Sequence, residues 1–250
     1  MNDALQVRVL AADRVDDARR AEMYALFETY YDDVTEARFG RDLDAKTDVI
    51  LLLDGERVVG FSTLEVHGFR FAGRDECAIF SGDTIIARPW WGTQLLSIAF
   101  CRFAGRTSAR LPGRRLWWLL ISKGHRTYRY LNAFAVRFHP SPQANADLET
   151  RSRAEMLARA RFGDAYDPVR GVLRFDEPSG HLRPCWHVDP GARAGSASSR
   201  YFETRNPGFA KGDELVCLAE LSAANLKRLA RRAFVDGVAD APAAGHRDGV

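Results

Sequence analysis

Apolar residues alternate from Leu5 to Leu10 as they do along a strand with one buried face. From Asp16 to Tyr31 the spacing changes, and Ala21, Tyr24, Ala25, Phe27 and Tyr31 recur at near-helical intervals. Thr35 to Lys46 predicts a second, shorter helix, broken or bent at Gly40. Two β-rich runs, Asp48 to Leu53 and Arg57 to Val66, flank Asp54-Gly55-Glu56. A turn-forming Asp-Gly between such runs predicts an antiparallel hairpin. Glu76 to Ile86 reads as a third strand with Gly82 in its interior, where glycine signals a bulge or the close approach of a ligand.

That strand closes on Arg88-Pro89-Trp90-Trp91-Gly92. Leu95, Leu96, Ala99, Phe100 and Phe103 then mark a packed helix over Thr93 to Phe103. Leu116 to Ile121 is continuously apolar, as a strand buried on both faces is, and a helix is expected from His125 to Phe138. Patterning then weakens. Ser141 to Ser199 holds a predicted helix, Thr150 to Phe162, and a strand candidate, Gly171 to Phe175, among Pro, Gly and Ser-rich stretches. Tyr201 to Thr204 and Glu214 to Leu221 read as closing strands, followed by a basic helix over Ala223 to Phe234. This gives an α/β chain with a core at 1–140, a loop-rich insertion at 141–199, strands and a helix completing the same domain at 200–236, and a flexible tail at 237–250.

Composition narrows the functional classes. With 250 residues, 46% of them apolar, the chain can bury one sizeable core. Its 36 basic residues are nearly matched by 33 acidic ones, so no global field favours nucleic acid. The arginines from Arg102 to Arg115 form a local stripe that could meet nucleic acid or an acidic carrier-protein helix, a basic surface loop being the default reading. Apolar runs such as Val49 to Leu53 fall far short of the ~20 residues of a membrane span, and Met1 to Val15 lacks the layout of a signal peptide. A cytoplasmic protein is expected. Cys77, Cys101, Cys185 and Cys217 are scattered, which suits reduced thiols, and Cys185-Trp186-His187 lacks the further ligands a zinc site needs. There is no Walker loop, Rossmann fingerprint or nucleophile-elbow serine.

The element order, the hairpin segment DVILLLDGERVVGF at 48–61 and the segment GDTIIARPWWGTQLL at 82–96 together resemble the GCN5-related N-acetyltransferase (GNAT) superfamily from about Val7 to Phe138. The resemblance implies a mixed, mostly antiparallel sheet flanked by helices, and direct transfer of an acyl group to an amine. The donor would be acyl-CoA or the acyl-4'-phosphopantetheine arm of acyl carrier protein, and the acceptor a small-molecule or peptide amine. It places the donor pyrophosphate at Gly92 and Thr93, at a helix N-terminus where orphan amides favour an anion. The chain departs from the family pattern by carrying Trp91, Gln94 and Leu96 in place of an arginine and two glycines, with Arg88 available for the missing charge. This departure is similar to branches that take acyl groups from carrier protein, including N-acyl amino acid synthases.

Acyl transfer needs a base, a polarised carbonyl and an acid for the leaving thiolate. Gly82 and Thr84 are candidates for contact with the carbonyl and the pantetheine arm, and Asp83 for the base. Glu65, with His67 on the same strand face, could relay a proton. The resemblance puts the acid on the helix after Lys123, at Tyr128 or Tyr130. His125 suits proton transfer and Lys123 a phosphate or carboxylate. Trp90, Trp91, Trp117 and Trp118 could line an acyl tunnel. The competing readings are core packing for the aromatics, solvated surface for the charges, and, for the whole chain, a non-catalytic module binding an acylated ligand or carrier protein.

Overall fold

The computed structural model describes residues 5–142, 147–175, 180–186 and 196–241. In chain order it runs β1 (Gln6–Ala11), α1 (Asp17–Tyr30), β2 (Tyr31–Asp32), α2 (Glu36–Asp44), β3 (Asp48–Asp54), β4 (Arg57–Phe71), β5 (Arg74–Ile86), α3 (Leu95–Ala109), β6 (Leu116–Ser122) and α4 (His125–Phe134). There follow α5 (Leu148–Phe162), β7 (Tyr166–Asp167), β8 (Val172–Leu173), β9 (His181–Leu182), α6 (Ala197–Arg205), β10 (Glu214–Glu220) and α7 (Arg228–Ala239).

Eight strands form one sheet in the order β1-β3-β4-β5-β6-β10-β8-β7, and β2 pairs separately with β9. In the large sheet every neighbouring pair is antiparallel except β5 and β6. A parallel pair requires a crossover, and α3 supplies it. The result is the mixed, mostly antiparallel sheet flanked by helices expected of the GNAT arrangement.

Period-two alternation sorts the core. Ile50, Leu64, Ile79, Trp118 and Cys217 face α3, α4, α6 and α7. Their strand neighbours turn to the other face, where Val49, Leu51 and Phe61 meet α1 and α2, and Phe80, Leu119 and Val216 meet α5. Side-chain caps set the starts of α1 and α2: Asp16 accepts the Arg19 amide at 2.8 Å and Thr35 that of Arg38 at 3.3 Å. On the opposite face α3 and α7 cross at two glycines. A methyl group added at Gly105 would overlap the Phe234 carbonyl, and one at Gly237 that of Arg102.

Several expectations are corrected. Helix α2 is unbroken at Gly40, because Phe39 and Leu43 bury one continuous face. The described parts of 141–199 include elements built into the fold: α5 packs beneath the sheet, and β8 extends it by pairing with β10. Arg153 of α5 ties it there through a bidentate pair with Glu76, at 2.9 and 3.0 Å, and Glu76 also accepts from Trp117 Nε1 at 2.7 Å. Tyr201 to Thr204 is helical within α6, where Ser196 caps the Ser199 amide and Phe202 is the buried face. The last helix starts five residues later than expected, at Arg228, and carries the first tail residues, 237–239; residues 242–250 lie outside the described residues. Helix α4 ends at Phe134, where Ala135 bridges to Leu226.

Candidate active site

Strand β5 pairs with β6 from Cys77↔Leu116 to Ser81↔Leu120 and no further, although both strands continue. Against β4 the register shifts between Ser62↔Thr84 and Leu64↔Ser81, so Gly82 and Asp83 on β5 together oppose Thr63 on β4. This is the bulge that glycine at 82 signalled, and it bends β5 away from β6. A Cβ at Gly82 would lie 2.6 Å from Thr63 Oγ1 and 2.9 Å from Lys46 Cε, so only glycine fits without moving them. Beyond the bulge the Ala87 amide bonds Val59 on the β4 side. By strand alternation the amides of Thr84 and Ile86 therefore face the open side, where β6 offers no partner.

A cavity of about 790 Å³ opens from the split on the α3 and α4 face, lined by Thr84, Gly92, Ser97, Gly124, His125 and Tyr130 among others. Both helices present N-termini without side-chain caps, at Gln94 and Gly124. The Leu95 amide bonds Thr93 Oγ1 at 3.4 Å, and the remaining first-turn amides and the helix dipoles favour negative charge at these ends. Gly92 has φ +92° in the loop that leads there. Trp91 occupies its departure position for a visible reason: its Nε1 donates to the Ile86 carbonyl at 2.7 Å, holding the end of the splayed strand. The Arg126 guanidinium lies 4.2 Å over its ring, which sets a positive charge from α4 beside the loop. Arg88 is exposed at this rim, its amide donating to Tyr30 Oη at 2.7 Å and its guanidinium 5.7 Å from the Trp186 ring.

A second cavity, of about 280 Å³, opens from the split on the α1, α2 and α5 face. Tyr31, Thr84, Lys123 and Thr127 line both cavities, so the two meet at the open strand pair. Asp83 lines the smaller one, and burial pushes its carboxyl above the usual carboxylate range against the pull of Lys123 and Lys46. Glu214, 5% exposed at the start of β10, lies in the same cavity and is likewise raised by burial. Lys123 Nζ sits 3.4 Å from Glu214 Oε1 and donates to the Gly180 carbonyl at 2.9 Å. Burial, with Asp83 and Glu214 nearby, raises the Tyr31 phenol and keeps it protonated.

The remaining candidates are placed as follows. Tyr128 is fully buried, donating to the Pro140 carbonyl at 2.8 Å, and lines neither cavity; it is a core residue and cannot reach a thiolate. Tyr130 on the same helix does line the larger cavity. Glu65 is held by Arg161 and sits 3.8 Å from His67, outside both linings, so the expected relay is absent. Trp117 is bound to Glu76, and Trp118 Nε1 donates to Ser81 Oγ at 2.8 Å with its ring against Phe100; neither lines a tunnel. Trp90 lies outside the cavity lining that Trp91 belongs to. Within the arginine stripe Arg102 and Arg106 pair with Asp240 and Arg115 with Glu220, whereas Arg110 and Arg114 are exposed. His187 is outside the described residues. Sequence reading missed Tyr31, Lys46 and Glu214, which reach the site from three separate elements; the turn at Gly212-Asp213 before Glu214 was the available signal.

No protein-family model and no curated protein matches the sequence. Among solved structures, a probable N-acyltransferase from Enterococcus faecalis matches 54% of this chain and 33% of its own, at 14% identity and TM-score 0.41. This chain therefore spans about a third of that protein's length. A GCN5-related N-acetyltransferase from Kribbella flavida matches 54% and 33%, at 13% and 0.39. Arabidopsis thaliana NAA60, in complex with a bisubstrate analogue, matches 54% and 86%, at 13% and 0.36. At this overlap the chemistry rests on the site's own geometry. Among the described residues no helix is long and apolar enough to cross a membrane, and no group of His, Cys, Asp and Glu could hold a metal ion.

Proposed function

We propose that the protein is an N-acyltransferase that takes an acyl group from a pantetheine thioester and passes it to an amine. The observation that carries this reading is the open β5–β6 pair with a cavity on each face. The thioester arm enters from the larger cavity, its phosphates at the α3 N-terminus and beside Arg126, and its carbonyl oxygen against the Thr84 amide. The amine enters from the smaller cavity. Both acyl-CoA and an acyl carrier protein present this arm, and free thiols at Cys77, Cys101, Cys185 and Cys217 suit the cytoplasm, where both occur.

In the reaction Asp83 takes a proton from the acceptor ammonium, and the freed lone pair attacks the thioester carbon. The new C–N bond forms, the C–S bond breaks, and the oxyanion between these events is held by the amides facing the split. Tyr31 supplies the proton that the departing thiolate needs. The nitrogen loses its second proton to solvent as the amide forms, and a proton passing from Asp83 to Tyr31 restores the site, leaving an amide, a free thiol and one released proton. Glu214 and Lys123 fix the charge around this exchange, and His125 and Thr93 line the donor path. The test is release of free thiol from a series of acyl-CoA esters and acyl carrier proteins in the presence of mixed amines. Release that requires both donor and amine supports the reading. Donor binding without turnover supports a non-catalytic acyl-binding module, and binding of neither donor removes both.

A further inference from the structure

Resting on that reading, we infer that the acceptor is a small amine carrying its own carboxylate, of amino-acid size. The smaller cavity, about 280 Å³, is lined by charges of both signs. At the split stand the carboxylates Asp83 and Glu214, which suit an ammonium. Arg38, Lys46 and Arg161, from α2, the turn after it and α5, line the same cavity, as does Phe80.

Lys46 is the informative member. Its Nζ donates to the Asp42 backbone carbonyl at 2.7 Å, and among the described residues no carboxylate lies within ion-pairing distance of it. The Arg161 guanidinium lies 4.0 Å over the Phe80 ring and Lys46 Nζ 5.7 Å from its centre, so two cations share one aromatic surface. Burial presses the Lys46 ammonium toward deprotonation, Asp83 opposes this, and Arg161 adds to it. Beneath Gly82, Thr63 Oγ1 is buried with no hydrogen-bond partner among the described residues. A half-buried cation beside a second cation, with no carboxylate in direct contact among the described residues, is stabilised by a further anion, and the cavity is a direction from which one can come. A polyamine or a cationic peptide tail would meet these charges and be repelled, whereas a carboxylate between Lys46 and Arg161 directs its own amine toward Asp83. Phe27, Tyr31, Phe39 and Phe162 around the void accommodate an apolar side chain.

The experiment measures binding of each of the twenty amino acids to the full chain by calorimetry, without donor, beside each binder's amide and decarboxylated amine. Lys46→Met and Lys46→Gln are measured in parallel. The inference expects at least one amino acid to bind, its carboxylate-free counterparts to bind roughly tenfold or more weakly, and both variants to abolish that preference while keeping the wild-type melting curve. Binding of none of the twenty, or equal binding of amino acid and amide, overturns it. Thiol release from acyl-CoA with carboxylate-free amines alone would overturn it and leave the acyltransferase reading standing. Carboxylate-dependent binding without any acyl transfer would do the reverse.

Discussion

Lys123, immediately after β6, holds its ammonium 3.4 Å from the buried carboxylate of Glu214. The two residues are 91 positions apart in sequence, yet they close the junction at which the two cavities meet. Removing the cation alone leaves Glu214 buried and uncompensated, so Lys123→Met is expected to cost about 3 kcal/mol at pH 7. The sign of its pH dependence is fixed. Glu214 already binds its proton more tightly in the folded chain than in the unfolded one, and more so without Lys123. The penalty is therefore present above the unfolded pKa and fades as pH falls and the group is protonated. Denaturant melts at pH 7 and pH 5 should show the variant recovering toward wild type, and Glu214→Gln in the same background should rescue it at pH 7.

Asp83 must be ionised to act as base, and burial raises its pKa. The acidic limb of the kcat/KM profile should accordingly lie above the usual carboxylate range. Asp83→Asn should lower kcat by roughly 10²–10⁴ and abolish that limb. An unchanged limb in the variant would assign it to another group.

Two tyrosines separate catalysis from packing. Tyr31→Phe should reduce kcat with little change in stability, since Tyr31 lines both cavities and among the described residues its hydroxyl makes none of the hydrogen bonds that hold the fold. Tyr128→Phe should instead leave the Pro140 carbonyl without its donor, costing about 1–2 kcal/mol in a denaturant melt with kcat preserved.

Much of the fold was legible in local pattern. The Asp54-Gly55 turn, the caps at Asp16 and Thr35, and the apolar run of β6 each state their structure within a few residues. The bulge at Gly82 was legible for the same reason, as a glycine inside a strand. Tyr201 and Phe202 misled because aromatic residues favour strands in isolation, and only packing against Tyr128 and Phe209 makes that segment a helix. The smaller cavity was legible only in part: Gly82, Asp83, Thr84 and Lys123 stood out in sequence, whereas Tyr31, Lys46 and Glu214 did not. Lys46, Asp83 and Glu214 are brought together by sheet order, which places β10 beside β6, and no spacing along the chain encodes that adjacency.

The α3–α7 crossing gives a stability prediction independent of chemistry. Gly105→Ala should destabilise by about 1–3 kcal/mol, even though alanine favours a helix, because the methyl group meets the Phe234 carbonyl. Thermal melting of this variant against Gly40→Ala, where the added group meets open space, isolates the effect.

His139 gives a second pH signature. Burial, with Arg205 and Arg151 nearby, pushes its pKa down to about 4. The unfolded chain binds the proton more readily, so stability is full above about pH 6.5 and falls on acidification through that window, by on the order of 3 kcal/mol in total. In His139→Gln this loss between pH 6.5 and 4 should disappear from the urea midpoint.

The most direct measurement of the central claim is a crystal structure with a non-hydrolysable acyl-CoA analogue. The account predicts the pantetheine arm threaded between β5 and β6 beyond Ser81 and Leu120, its phosphates at the α3 N-terminus by Gly92 and Thr93, and its acyl carbon facing Asp83 across Thr84. An analogue bound elsewhere, or a split through which no arm passes at saturating analogue, would contradict it.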